Sequence, residues 1–224
     1  MAHDKKNILK TKMASKLKII SINAHRIGRL SKLLELNEII KMEKAQIIHI
    51  QEIVISSALK VFSEDYQMFI NFEESAINTD GVGIITMVQK GMHVLDFIIG
   101  GDGRTIGVKV RDIQFWHCYP KSGTENKKWR EKYFRETLPN QMVIWKDHTV
   151  MVSQAGDHNC TIREEDSENN KKQHLQSGLV EHLKVFGIKD EYVSLRGNES
   201  PPNFSRITNR SKTRIDIIAS NSPK

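Results

Sequence analysis

From Leu17 onward the chain is written in short apolar runs broken by polar residues. Leu17-Lys18-Ile19-Ile20-Ser21-Ile22 alternates and is rich in β-branched residues, which predicts a strand. Leu30 to Met42 sets Leu30, Leu33, Leu34, Ile39 and Ile40 at roughly helical spacing, predicting a helix with Ser31 as a nearby cap. Ala45 to Ile50 is a short, mostly apolar run of the kind found in buried strands. Between Tyr66 and Tyr119 no long helical period occurs. Five short strands are predicted there, over 66–71, 82–88, 93–99, 105–110 and 113–119, with Gly81, Gly83, Gly91, Gly100, Gly101 and Gly103 between and within them. Gly83, inside an apolar run, predicts a bulge or a close backbone approach. A helix follows over 125–143, with Thr124 as cap and Trp129, Tyr133 and Leu138 on one face. Then come a strand over 148–154, a polar loop over 163–173, and a helix from Lys172 to Phe186 ending at Gly187. Two last strands are predicted near 203–208 and 214–219.

The order is strand–helix–strand, a β-rich middle, then helix–strand–helix–strand–strand. Such a mixture predicts an α/β fold of two packed sheets with helices outside them. No repeat and no break in composition divides residues 17–224, which read as one domain. Residues 1–16 read as a flexible basic arm: Lys5, Lys6, Lys10, Lys12 and Lys16 face a single acid, Asp4. No G-x-G-x-x-G follows the first strand and no Walker A motif is present, which disfavours the dinucleotide-binding and P-loop folds.

Composition narrows the picture. The 224 residues carry 34 Lys+Arg against 27 Asp+Glu, a net +7. That balance favours a polyanion such as nucleic acid, and equally describes a basic surface that only keeps the protein in solution. No apolar run approaches the ~18 residues of a membrane span, and the first sixteen residues lack an apolar leader core, so neither a membrane nor secretion is expected. Cys118 and Cys160 are the only cysteines. They predict a reducing compartment, show no zinc-like spacing, and read as small buried hydrophobes.

The chemistry-bearing residues fall at predicted strand ends. Asn23 follows the first strand, Gln51-Glu52 the second, and Tyr119 closes the strand before Pro120. Gly156-Asp157-His158-Asn159 follows the strand at 148–154, and Arg214-Ile215-Asp216 lies on the last. Each has a plainer reading alone: Asn23 as a turn cap, Glu52 as a solvated end residue, Tyr119 as a half-buried core aromatic, Gly-Asp-x-Asn as turn chemistry, Asp216 as a partner for Arg214. Successive strand ends in a sandwich converge on one edge, where sites form.

In this order, the segments Ile22-Asn23, His49-Ile50-Gln51-Glu52, Tyr119-Pro120-Lys121-Ser122-Gly123-Thr124-Glu125-Asn126, Ala155-Gly156-Asp157-His158-Asn159-Cys160 and Thr213-Arg214-Ile215-Asp216 resemble the endonuclease/exonuclease/phosphatase superfamily. That superfamily is related to deoxyribonuclease I and the exonuclease III-type abasic-site nucleases. The likeness is greatest to the apurinic-like endonuclease domain of LINE-type non-LTR retrotransposons, whose patterns I-Q-E, Y-A-P-S-G, G-G-D-F-N-C and S-R-I-D these segments match in part. The resemblance implies a four-layer α/β-β/α sandwich, two mixed β-sheets packed face to face with helices outside. It also implies a Mg2+- or Mn2+-dependent DNA endonuclease that nicks target DNA. Glu52 and Asn23 would hold the ion. Asp157 would orient or deprotonate the attacking water, Asn159 would hold the phosphate or Asp157, Tyr119 would donate to the phosphate, and Asp216 would support the network. Lys121, Arg206, Arg210 and Lys212 would contact the DNA backbone, or decorate a solvated loop and strand pair. A monomer, a nuclear location and, in a longer protein, a C-terminally fused reverse transcriptase are further implications.

The match also departs from the family. Its Ser-Asp-His motif is absent, so the domain is expected to be C-terminally truncated, lacking its final strand or strands and leaving a sheet edge unpaired. His158 replaces an aromatic that packs under the turn, which predicts a structural substitute or a loosened turn. Asn203-Phe204 and Pro120-Lys121 also differ from the family pattern. Two further readings stay open: a catalytically inactive nucleic-acid-binding remnant, and the same fold acting on a phosphoinositide, a sphingolipid or an RNA tail.

Overall fold

The computed structural model describes residues 17–73, 82–145, 151–163, 176–191, 206–207, 212–213 and 216–221. Its first sheet has four strands: β1 (Ile19–Ile27), β2 (Ile47–Val54), β3 (Tyr66–Asn71) and β4 (Val82–Gln89), in spatial order β1-β2-β4-β3. β1 and β2 are parallel, joined over α1 (Leu30–Glu43), and the other pairs are antiparallel. The second sheet has six strands. These are β5 (Val94–Ile99), β6 (Thr105–Val110), β7 (Ile113–Cys118), β8 (Met151–Asp157), β9 (Lys189–Asp190) and β12 (Asp216–Ser220), in the order β5-β6-β7-β8-β12-β9. β10 (Arg206–Ile207) and β11 (Lys212–Thr213) form a separate two-stranded pair.

Three apolar clusters define four layers. Leu33, Leu36 and Ile40 of α1, with Ala58 and Phe62, cover the outer face of the first sheet at Ile48, Ile50, Ile85 and Met87. Ile47, Ile84 and Val88 meet Ile106, Val108 and Phe115 between the sheets. Trp116, Cys118, Val152 and Ile217 on the outer face of the second sheet are covered by Phe134, Leu138, Leu179 and Leu183. This is the expected α/β-β/α sandwich. Strands buried on both faces explain why β2 and β4 read as nearly continuous apolar runs. Cys118 and Cys160 are both buried and unpaired, as expected.

Several local expectations need correction. Ser31 lies inside α1; Arg29 is the N-cap residue and makes no side-chain cap bond. A helix absent from the sequence reading, α2 (Ile55–Phe62), follows β2 directly, burying Ala58, Val61 and Phe62 at helical spacing. The helix predicted over 125–143 begins as a 3-10 turn at Thr124–Asn126 behind Gly123, so Thr124 is not its cap. It continues as α3 (Lys127–Lys132), a π-helical segment at Tyr133–Thr137, and α4 (Leu138–Met142). Pro139 supplies the reason: it has no N–H for the carbonyl one turn back, so the ladder widens there. α5 covers Ser177–Val185, with Gly187 in the left-handed region behind it. The strand predicted over 148–154 instead runs Met151–Asp157, which carries it into the Gly-Asp motif. The short β9 has no counterpart among the predicted elements. The arm at 1–16, most of the loop at 163–173, and Asn203, Phe204, Arg210 and Arg214 lie outside the described residues. Among the described residues no helix is long and apolar enough to cross a membrane.

Candidate active site

Four strand ends converge at one edge of the sandwich. In parallel pairing Asn23 of β1 lies opposite Gln51 of β2, which places Glu52 one residue beyond. His117 of β7 lies opposite Ala155 of β8, so Tyr119 and Asp157 emerge side by side. β12 adds Asp216, in backbone register with Asp157.

The side chains meet. The Asn23 amide Nδ2 donates to Glu52 Oε1 at 3.2 Å and to Asp157 Oδ2 at 3.0 Å, tying residues 134 apart in sequence. Its Oδ1 accepts the His25 N–H at 2.9 Å, so the turn role and the site role of Asn23 coexist. Tyr119 Oη donates to Glu52 Oε1 at 2.6 Å. Burial, and next the hydrogen bond to Glu52, push the Tyr119 phenol up from its ordinary value. It therefore stays protonated and acts as a donor throughout the physiological range. Asp157 Oδ1 accepts the Asn159 N–H at 2.9 Å, while Asn159 Nδ2 donates to the Pro120 carbonyl at 2.9 Å. Asn159 thus fixes Asp157 and staples the turn to the loop after Tyr119.

Backbone strain gathers here. Glu52 (φ 53°) and Asn159 (φ 51°) adopt the left-handed region, as do His25 (φ 45°) and Arg26 (φ 60°). The register of β2 slips on both sides around Glu52. Such residues each cost about 1–3 kcal/mol and persist where the surroundings fix them. Gly156 has φ 142°, and a Cβ there would collide with the Cys118 carbonyl oxygen. β7 and β8 approach this closely only because Gly156 has no side chain. Gly156→Ala is expected to destabilise the fold by about 2–4 kcal/mol, lowering the melting temperature by about 5–15 °C. Thermal unfolding followed by circular dichroism reads this; an unchanged melting temperature would contradict the contact.

His158 is fully buried, not loosened. Its ring hydrogen-bonds to Gln154 Nε2 and the Gly156 carbonyl, both at 2.9 Å, and stacks on Phe134 at a centroid distance of 6.0 Å. It is the structural substitute for the expected aromatic, and it faces the outer helices. Lys121 sits at the rim, 3.3 Å from Glu73 and 5.5 Å from the Trp129 ring centroid. For Arg206, Lys212 and Asp216 the structure describes the backbone.

Arg104 was missed from sequence. Its Nε donates to Glu73 at 2.8 Å and its Nη1 to the Tyr119 carbonyl at 3.2 Å, with the guanidinium 5.2 Å from the Tyr119 ring centroid. The hydrogen bond from Arg104 lowers the Glu73 carboxyl below its usual range. Arg104 precedes a strand within a glycine-rich turn, a position with no local signal of function. Beside Glu52 and Tyr119 opens a cavity of about 300 Å³.

Two carboxylates held about one amide group, with a phenol donor alongside, suit a hard divalent cation that completes its shell with water and phosphate oxygens. Among the described residues no three His, Cys, Asp or Glu side chains cluster closely enough to cage a metal by themselves. The donor set fits Mg2+ or Mn2+, which bind through one or two carboxylates, better than it fits zinc.

No protein-family model matches the chain, and no curated protein sequence does. Solved structures do. The fold is similar to an AP endonuclease from Archaeoglobus fulgidus, with a TM-score of 0.72 at 18% identity over 92% of this chain and 87% of that one. A 3'-5' exonuclease from Neisseria meningitidis gives 0.70 at 15% identity, over 90% and 86%. Humanized D. rerio TDP2 gives 0.65 at 18% identity, over 93% and 84%. The chain shares its α/β-β/α sandwich fold with these three proteins.

Proposed function

We propose that this protein is a metal-dependent phosphodiesterase that nicks DNA. The observation that carries the reading is the single hydrogen-bonded cluster Glu52–Asn23–Asp157 with Tyr119, assembled from four separate strand ends. Glu52, aided by Asn23, would hold Mg2+ or Mn2+, which neutralises phosphate charge and stabilises the leaving oxygen. Asp157 is held at both oxygens, by Asn23 Nδ2 and Asn159 N–H. It is thereby aimed to orient a water and accept its proton. Tyr119 remains a donor and offers its hydroxyl to a phosphate oxygen. Asp216, paired with Asp157 through the backbone, would complete the polar network. The net charge of +7 favours the polyanion, with Lys121, Arg206, Arg210 and Lys212 as backbone contacts.

The finer assignment, target-DNA nicking for a non-LTR retrotransposon, is supported by Tyr119-Pro120-Lys121-Ser122-Gly123 and Thr213-Arg214-Ile215-Asp216. With it go a nuclear location, a monomeric domain and a fused reverse transcriptase. Supercoiled plasmid incubated with the protein is expected to convert to open circle in Mg2+ and to remain supercoiled in EDTA. Salt-dependent DNA binding with no conversion would assign the inactive-remnant reading instead. Cleavage confined to RNA or a phospholipid would move the substrate.

A further inference from the structure

The cavity beside Glu52 and Tyr119 has walls as firmly held as the site itself. Its far wall is Phe72-Glu73, and that short segment is clasped by two glycines. A Cβ at Gly83 would collide with the Asn71 carbonyl oxygen and lie 2.9 Å from Phe72 Cβ. A Cβ at Gly103, which has φ +70°, would lie 2.6 Å from the Glu73 nitrogen and 2.7 Å from the Phe72 carbonyl carbon. The backbone at Phe72 is therefore pinned from both sides, yet the ring is left 40% exposed at the cavity wall. A fixed aromatic held open to solvent is a platform rather than core. The cations at the cavity differ in kind. Arg104 is committed to Glu73 and to the Tyr119 carbonyl. Arg26 is exposed, reaches the cavity from a strained left-handed residue, and among the described residues has no ion-pair partner.

We infer that this cavity is the subsite for the nucleotide next to the scissile phosphate, with Phe72 as the stacking platform for its base and Arg26 as the cation for its distal phosphate. The inference rests on the phosphodiesterase reading, and follows from the shared wall. The cavity that Phe72 lines shares Glu52 and Tyr119 with the site, so a phosphate held there would place one of its two neighbouring nucleotides in it. About 300 Å³ is the lower end of the range for small-molecule pockets, enough for one such unit. Base stacking on an aromatic tolerates any base, and an unpaired guanidinium adds affinity that salt weakens. The subsite thus grips any sequence, and the nick would not be confined to one base at that step.

The test uses a duplex carrying one nick site, in which the nucleotide on either side is replaced in turn by a tetrahydrofuran residue lacking the base. Nicking in Mg2+ and binding by fluorescence anisotropy in EDTA are both read. Phe72→Ala is expected to weaken binding and raise KM about tenfold on intact DNA. It should cost nothing further when the base on the cavity side is already missing, yet keep its full penalty when the other base is missing. Phe72→Tyr should restore wild-type values. Arg26→Ala is expected to lower the salt slope of binding by about one, with Phe72→Ala leaving that slope unchanged. Arg26 is exposed, so Arg26→Ala should leave the melting temperature unmoved; Phe72→Ala should lower it by a few degrees and Phe72→Tyr should not. Penalties that add on both sides, or an unchanged slope for Arg26→Ala, overturn the subsite alone while the nuclease reading stands. A wild-type protein that nicks none of the duplexes overturns the nuclease reading and the subsite with it.

Discussion

Asp157→Asn is expected to reduce Mg2+-dependent nicking by about 10³-fold while leaving the fold intact. The substitution keeps size and shape and removes the charge and the proton-accepting capacity. The introduced asparagine retains one oxygen, which can accept from the Asn159 N–H or from Asn23 Nδ2, and its amide then faces the other donor. A buried donor left without its acceptor costs about 1–3 kcal/mol, a shift of about 2–10 °C in melting temperature. Glu52→Gln makes a useful contrast. The introduced glutamine still accepts from Tyr119 and Asn23, so the geometry survives, but a neutral amide is a weaker ligand for a hard cation. That variant should show its deficit chiefly as a higher metal concentration for half-maximal nicking, whereas Asp157→Asn should not be rescued by metal. Plasmid nicking titrated with Mg2+ separates the two. Asp157→Asn within tenfold of wild type would remove Asp157 from the reaction.

The layers of the fold were legible in the sequence because burial on both faces leaves a strong mark. Ile47 to Ile50 and Ile84 to Val88 are apolar on nearly every position, as strands covered by helices on one side and a second sheet on the other must be. What escaped was local. The eight residues of α2 have no capping side chain, so nothing marks where β2 stops. The π-helical segment before α4 is invisible to a 3.6-residue period. The convergence of the candidate site was legible where its residues end strands. Asn23, Glu52, Tyr119 and Asp157 meet as the motif order implied. Arg104 and Phe72 were not legible, because their position depends on how the chain closes around Gly83 and Gly103, and no spacing along the chain encodes that.

The seam between the sheets turns from apolar to polar as it nears the site. Ile19 gives way to Ser21 and Asn23, Ile47 to His49 and Gln51, and Phe115 to His117 and Tyr119. With Gln51 Nε2 as donor to Ser21 Oγ (3.1 Å) and His117 Nε2 (2.8 Å), the chain runs on from His117 Nδ1 to Thr86 Oγ1 (3.3 Å) and from Thr86 to His49 Nδ1 (3.1 Å). It joins the two sheets directly beneath Glu52 and Tyr119. Gln51, His117, Thr86 and His49 are all buried, and a second proton on His117 would set donor against donor at Gln51. A polar seam of this kind is stable only while its histidines are neutral.

Strong acid sensitivity follows. Burial lowers His49 and His182 from 6.5 to about 3, and burial, reinforced by His49 and His158, holds His117 well below its ordinary value. Once unfolded, each returns to about 6.5. The unfolded chain therefore binds more protons below pH 6.5. The stability these neutral rings contribute is complete above that pH and is lost as pH falls toward 3. Each histidine contributes a slope of about 1.4 kcal/mol per pH unit, and three together about 4. Against a typical stability of about 5–15 kcal/mol, acid unfolding is expected near pH 4 to 5. Urea unfolding measured between pH 7 and pH 5 reads the slope directly. His49→Leu should flatten it by about 1 kcal/mol per unit averaged over that window, whatever it does to stability at pH 7, because it removes one titrating group. A slope that the substitution leaves unchanged would mean that His49 already carries a proton in the folded protein, and the seam would then have to be drawn with its donors reversed.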